Sequence, residues 1–176
     1  WNYCRMIGNP PPYYATLTMC TQHHPLGIEA MATLERAIEI AAKAHTGQID
    51  KAGQPYILHP IQVMLRVTGA EARIVAVLHD VVEDSEFTLE NLRAEGFSET
   101  VLEAVEALTK RKGESRIEAA LRAAANEIAC QVKLADNAEN LDMSRIQHPT
   151  EKDYQRMQEY EQVREILLGH KKQEAS

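Results

Sequence analysis

The feature that most constrains this chain is the run Glu71-Ala72-Arg73-Ile74-Val75-Ala76-Val77-Leu78-His79-Asp80-Val81-Val82-Glu83-Asp84. Its first turns are the most apolar stretch of the sequence, so a helix here belongs inside a bundle. Its end is the opposite in character, with one imidazole and three carboxylates. At about 100° per residue His79 and Glu83 stack one turn apart, as do Asp80 and Asp84, and the four cover an arc of roughly 140°. Val75, Leu78, Val81 and Val82 fall on the other side. Carboxylates on adjacent turns repel one another unless a cation or a proton sits between them. Acidic groups at a helix C-terminus also oppose its dipole, at ~0.3–1 kcal/mol each. A solvated acidic helix end is the plain alternative, but one that closes a buried helix breaks a local rule, and such breaks mark sites.

Helical spacing extends through the rest of the chain. Leu34, Ile38, Ala41 and His45 share one face of a helix over 32–45, with Gly47 as its stop. A polar stretch, 46–54, leads to Pro55-Tyr56-Ile57-Leu58-His59-Pro60, where Pro60 suits the first position of a helix running to about Val67. Thr88 caps a short helix ended by Gly96, and Ser98 caps the next, through about Lys110. Helical patterns return at 116–126 and 128–142, and Pro149-Thr150 opens a last helix, 151–168, with Gly169 as its stop. No segment alternates as a strand does, so the expected fold is all-α, in one domain from Met31 to Ser176. Residues 1–30 differ in kind: four of the seven prolines lie there, beside only two charged side chains, Arg5 and Glu29. They are expected to be a leader outside the domain.

Composition narrows the functional classes. With 44% hydrophobic and 26% charged residues the chain has a soluble domain's profile, and no apolar run approaches the ~20 residues of a membrane span. A net charge of -7 argues against nucleic-acid and anionic-membrane surfaces, so an anionic ligand would need a local basic lip or a metal ion. Three cysteines without a CxxC give neither a disulfide framework nor a thiolate zinc site, which makes a reducing cytoplasm the default.

His79 and Asp80 alone cannot complete a metal's coordination shell. Asp136, a carboxylate in the otherwise apolar turn Val132-Lys133-Leu134-Ala135-Asp136, and His59, beside the apolar Ile57-Leu58, are candidates to do so. Two histidines and two aspartates make a mixed N/O shell that suits Mn2+, Fe2+, Co2+ or Zn2+.

These residues carry a resemblance. His59, His79-Asp80 and Asp136 match the H…HD…D signature of HD-domain metal-dependent phosphohydrolases. Pro55-Tyr56-Ile57-Leu58-His59-Pro60, Leu78-His79-Asp80-Val81-Val82-Glu83-Asp84 and Val132-Lys133-Leu134-Ala135-Asp136 resemble the hydrolase domain of RelA/SpoT-type alarmone enzymes and the free-standing small alarmone hydrolases. The likeness covers residues 32–168. It implies an all-helical HD bundle in which His59, His79, Asp80 and Asp136 hold Mn2+, other divalent metals being able to substitute. It implies that Glu83 and Asp84 orient or activate water, and that Asn140 and Arg145 line the substrate pocket. The implied reaction removes pyrophosphate from the 3′ position of guanosine tetra- or pentaphosphate. Lys51, Lys133 and Arg145 are candidates to neutralise the remaining phosphates.

Two departures are visible. Asp50, in Ile49-Asp50-Lys51-Ala52-Gly53, stands where the family places an arginine against the guanine base. Residues 114–126 are alanine-rich and lack the tyrosines of such relatives. Two other readings therefore stay open: an HD phosphohydrolase for another nucleotide or phosphoester, and a non-catalytic metal-binding regulatory module. His45 is expected to be structural, Lys110-Arg111-Lys112 to be a solvated helix end, and Cys130 a small core residue. Arg156, Glu159, Arg164 and Glu165 are expected on an exposed face of the last helix, available for a homo-oligomer contact.

Overall fold

The computed structural model describes residues 31–145 and 149–174, the side chains of Arg145 and of 171–174 excepted; the expected leader, 1–30, lies outside them. Among the described residues the chain runs through α1 (Leu34–Ala44), α2 (Leu58–Arg66), α3 (Ala70–Leu78), α4 (Val81–Asp84), α5 (Leu89–Ala94) and α6 (Glu99–Leu108). It continues through α7 (Arg116–Ala124), α8 (Glu127–Asn140), a 3-10 turn (Met143–Arg145) and α9 (Glu151–Glu174). No strand is formed among these residues, only an isolated bridge between Ile49 and Pro55. The fold is all-α, as expected.

The helix starts follow from local chemistry. Thr33, Thr88, Ser98, Ser115 and Asn126 each accept a backbone N–H of the first turn through the side chain. At Thr88 and Ser115 the third helical residue, Asn91 or Glu118, answers with its own side chain and completes a capping box.

Beyond shifts of one or two residues at helix ends, three departures from the sequence reading have a physical reason. First, α2 begins at Leu58, so His59 is already inside its first turn. A tight turn leads in, with the Leu58 N–H on Pro55 O at 3.1 Å and the His59 N–H on Tyr56 O at 2.9 Å. Pro60 then occupies the third helical position, where its missing N–H would have been an orphan as well. Second, the expected helix 71–84 breaks at His79-Asp80 into α3 and α4. His79 Nδ1–H reaches the Ala76 carbonyl at 2.7 Å, the acceptor that an unbroken helix assigns to the Asp80 N–H. Third, α9 runs through Gly169 to Glu174. A glycine inside a helix costs only about 1 kcal/mol, and Val163 and Leu167, both fully buried, tie the preceding turns to the body.

Helix α3 is the centre. Six of its nine residues are buried (Ala72, Ile74, Val75, Ala76, Val77 and Leu78), and it packs against α1, α2, α6 and α8. A satellite cluster of Ala120, Ala124, Cys130, Val163 and Leu167 joins α7, α8 and α9. Cys130 is a buried core residue, as expected. Helices α2 and α8 are further braced by Arg66, which meets the buried Glu139 carboxylate at 2.7 Å.

Helices α6 and α7 are joined by one guanidinium. Arg122 donates to the carbonyls of Glu106 (2.8 Å), Ala107 (2.7 Å) and Thr109 (2.9 Å), and pairs with both Glu114 oxygens at 2.7 and 3.0 Å. The Arg122 hydrogen bonds, helped by the Arg111 N–H and opposed by burial, hold the Glu114 carboxyl down at about 2.

Two outcomes are expected. Leu78→Ala, at a fully buried position of α3, lowers stability by about 3 kcal/mol in denaturant unfolding. The Glu114 pair stabilises the fold above the carboxyl's ordinary value near 4.5, and that contribution is lost as pH falls towards 2. The stability difference between the native chain and Glu114→Gln therefore shrinks over this acid range; a difference constant from pH 6 to pH 2 contradicts the assignment.

Candidate active site

The packing of α2, α3 and α8 brings three ionisable side chains into one buried cluster. His59 comes from the first turn of α2, His79 from the break after α3, and Asp136 from the third turn of α8. All are buried, and each offers a donor atom within 4.8 Å of the others. His59 Nε2 lies 3.2 Å from Asp136 Oδ1, and His79 Nε2 3.8 Å from the same oxygen. Asp80 stands beside this trio, with Oδ2 at 3.0 Å from His79 Nε2 and 3.9 Å from His59 Nε2. The Tyr56 hydroxyl donates to that Oδ2 at 2.5 Å.

Supporting contacts fix each group. Because His79 Nδ1–H is taken by the Ala76 carbonyl, Nε2 is the nitrogen turned to the cluster. Asp136 receives the Lys133 ammonium at 2.9 Å on Oδ2 and the Asn140 amide at 2.6 Å on Oδ1. The Tyr56 ring packs between the rings of His45 (centroids at 5.0 Å) and His59 (5.6 Å). His45 caps α1, and its Nδ1–H meets Gln48 Oε1 at 2.9 Å, a structural role as expected.

The electrostatics follow from this crowding. Burial alone would raise Asp136, but the Lys133 charge, the His59 hydrogen bond and the His79 charge hold it well below its ordinary value. Burial likewise opposes ionisation of Asp80, and His79 outweighs it. Burial disfavours the imidazolium of His79, yet Asp80, Asp136 and the Ala76 carbonyl lift it to about 9. Tyr56 is raised by burial and by Asp80, so its hydroxyl stays a donor. Two imidazoles and ionised carboxylates, facing one another in the core with His79 and Asp136 bonded on their far sides, suit a divalent cation. A proton shared between histidine and aspartate holds the same negative charge when the cation is absent.

His59, Asp80 and Asp136 form the floor of a cavity of about 390 Å³, an ordinary size for a small-molecule site, and His79 is bonded to Asp80 without lining it. Glu83 and Asp84 stand on its wall. Glu83 Oε2 accepts the Lys110 N–H at 3.0 Å. Restricted hydration, then the like charges of Asp80 and Glu83, push Asp84 above its ordinary value. Its backbone carbonyl accepts the Gln48 side-chain amide at 3.0 Å.

The structure also places the expected substrate contacts. Lys51, Lys133 and Asn140 line the cavity. Lys51 bridges it to Asp153 at the start of α9, at 2.9 Å. The Arg145 side chain lies outside the described residues. Asp50 lines the cavity, and its Oδ1 holds the Ala52 and Gln54 N–H groups at 2.9 and 2.8 Å, so it shapes the loop itself.

Several wall residues escaped the sequence reading. Lys110, exposed as expected, and Arg156, half-buried, both also line the cavity, and among the described residues neither is held in an ion pair. Arg116 joins them, 4.7 Å above the Tyr160 ring, which is also on the wall. The spacing of Arg156 and Tyr160, one helical turn apart, was the available signal. Glu159 pairs with Arg116 at 2.9 Å.

Removing the Tyr56 hydroxyl frees Asp80 from its one fixed orientation. Tyr56→Phe is expected to weaken divalent-metal affinity by about 10–100-fold, read by metal titration calorimetry, with little change in Tm.

Comparison with known proteins places this geometry in a family. Residues 37–172 match the HD domain. A guanosine-3′,5′-bis(diphosphate) 3′-pyrophosphohydrolase of Aquifex aeolicus is 39% identical over 92 residues, 50% of this chain and 13% of that protein. A GTP pyrophosphokinase of Streptomyces coelicolor is 43% identical over 81 residues, 44% of this chain and 9% of that protein. The chain thus spans only a small part of the curated relatives it matches. A solved structure described as a metazoan ortholog of SpoT that hydrolyzes ppGpp and plays a role in starvation responses superposes with a TM-score of 0.66. It is 27% identical, and the match covers 79% of this chain and 87% of that one. The buried histidine–aspartate cluster, the all-helical frame around it and the match over residues 37–172 agree: this chain belongs to the HD-domain family.

Proposed function

We propose that residues 31–176 form one domain that hydrolyses the 3′-diphosphate of guanosine tetra- or pentaphosphate, releasing pyrophosphate, with Mn2+ as its metal. The carrying observation is a buried His59–His79–Asp136 cluster whose His59 and Asp136 open into one cavity beside Asp80, two wall carboxylates and several cations. The relatives support the substrate: one is named as a pyrophosphohydrolase of this nucleotide, and the structural neighbour is described as hydrolyzing ppGpp.

His59, His79, Asp80 and Asp136 would hold the cation. When bound it supplies Lewis acidity, screening phosphate charge and making water a better nucleophile. The chain's own residues do the rest. Glu83, with Oε2 fixed by the Lys110 N–H, keeps its second oxygen to orient the attacking water and accept its proton. Asp84, raised by its surroundings, is suited to share that proton. Lys110, Arg116 and Arg156 face the charge of the diphosphates, and Lys51 and Lys133 do so by exchanging their present carboxylate partners for phosphate. Asn140, bonded to Asp136, keeps that carboxylate turned inward. A cytoplasmic setting fits the substrate, and no helix among the described residues is long and apolar enough to cross a membrane.

A second reading has its own observation. The loop at the cavity rim presents Ile49, 70% exposed, and Asp50, whose Oδ1 is taken up by loop amides. That surface favours van der Waals contact with a base over cationic stacking, which suits a different nucleotide or phosphoester.

The purified chain with Mn2+ is expected to release pyrophosphate from ppGpp, and chelation to stop it. Asp80→Ala abolishes turnover and metal binding together, whereas Glu83→Ala loses about 10²–10⁴-fold in kcat and keeps its metal. Comparing kcat/KM over a panel of nucleotides separates the two readings. Metal occupancy without turnover of any phosphoester would leave a regulatory module instead.

A further inference from the structure

We propose that Arg122, which does not line the cavity, is a positioning residue for Glu83 and acts on it through a single peptide group. This rests on the reading of Glu83 as the residue that orients water. The Thr109–Lys110 peptide is held at both ends. Its carbonyl oxygen accepts Arg122 Nη2–H at 2.9 Å, and its N–H donates to Glu83 Oε2 at 3.0 Å. A peptide group is planar and trans, so fixing the direction of the C=O fixes the direction of the N–H. A cation on the carbonyl also polarises the amide and strengthens its N–H as a donor.

Glu83 depends on that amide. It is exposed, it sits on the one-turn helix α4, and its bond to Lys110 crosses from another part of the chain. Arg122 is built for holding. Its five N–H groups meet five acceptors: the carbonyls of Glu106, Ala107 and Thr109, and both oxygens of Glu114. The pair is well covered, with side-chain exposures of 17% and 12%. A lysine, with three donors on one point charge, cannot reproduce this fork. A helix cap alone would need only the Glu106 and Ala107 carbonyls; the Thr109 contact turns the same guanidinium towards the cavity wall.

The test is a double-mutant cycle read in two ways. Arg122→Gln is expected to lower kcat for ppGpp hydrolysis on the order of tenfold with KM changed less than about twofold, and Arg122→Lys does not restore it. In a Glu83→Ala background Arg122→Gln costs nothing further in kcat, because the group it positions is gone. The second readout needs no turnover: in the 15N-labelled chain the Lys110 amide proton loses its carboxylate shift in Glu83→Ala and moves the same way in Arg122→Gln. If ppGpp is not a substrate the functional reading falls, and the Lys110 resonance alone decides this proposal. Should Arg122→Gln not fold, Glu114→Gln, which leaves the guanidinium but loosens its aim, gives both readouts at smaller amplitude. A kcat loss that multiplies with Glu83→Ala, a change carried by KM, or a Lys110 amide indifferent to Arg122 overturns the proposal.

Discussion

The structure depends on a bargain between burial and charge at the junction of α2, α3 and α8. His59, His79 and Asp136 are each less than a tenth exposed, in the part of the molecule otherwise filled by valine, leucine and alanine. Charged groups there are tolerable only if each polar atom is met. The Ala76 carbonyl and Lys133 meet the outward atoms of His79 and Asp136, Asn140 shares the inward Asp136 Oδ1, and the cluster's members meet one another. This satisfaction dictates geometry: the histidine that takes the Ala76 carbonyl breaks the helix that carries it. The break then separates the buried α3 from the short α4 whose carboxylates reach the cavity.

Around that floor the walls are made differently. His59 and Asp136 sit on α2 and α8, and His79 at the end of α3, all locked by core packing, which fixes their positions closely. Glu83 and Asp84 ride on one turn of helix and are steadied from outside, by the Lys110 amide and by Gln48 on the Asp84 carbonyl. The cations lie further out still. Most of them are already engaged, Lys51 by Asp153, Lys133 by Asp136 and Arg116 by Glu159. An acidic protein can thus present positive charge to an anionic ligand by trading partners, without carrying a net basic surface.

Much of this was legible beforehand, and the residues show why. The apolar run before His79 announced both the central helix and the site at its end, because periodicity and a broken charge rule are local signals. His59 and Asp136 were read as partners largely through likeness to known motifs, since spacing cannot show that α2 and α8 meet. The unread part is tertiary. Arg156 and Glu159 lie three residues apart on a charged helix, yet one lines the cavity and the other holds Arg116. Asp50 stood out as a departure from a binding pattern, whereas its carboxylate staples its own loop. Lys110 was read by its side chain, while its backbone N–H makes the contact with Glu83.

The ion pair between Lys51 and Asp153 joins segments 102 positions apart. The inward-facing floor is supplied by residues up to 140, but Arg156, Met157 and Tyr160 of α9 complete the wall. During synthesis, the floor is encoded some twenty residues before the chamber above it can close. A chain ending near the 3-10 turn would carry His59, His79, Asp80 and Asp136 but not the part of the cavity wall that α9 supplies. Order of emergence from the ribosome is thus written into the cavity: the buried cluster first, the α9 wall last.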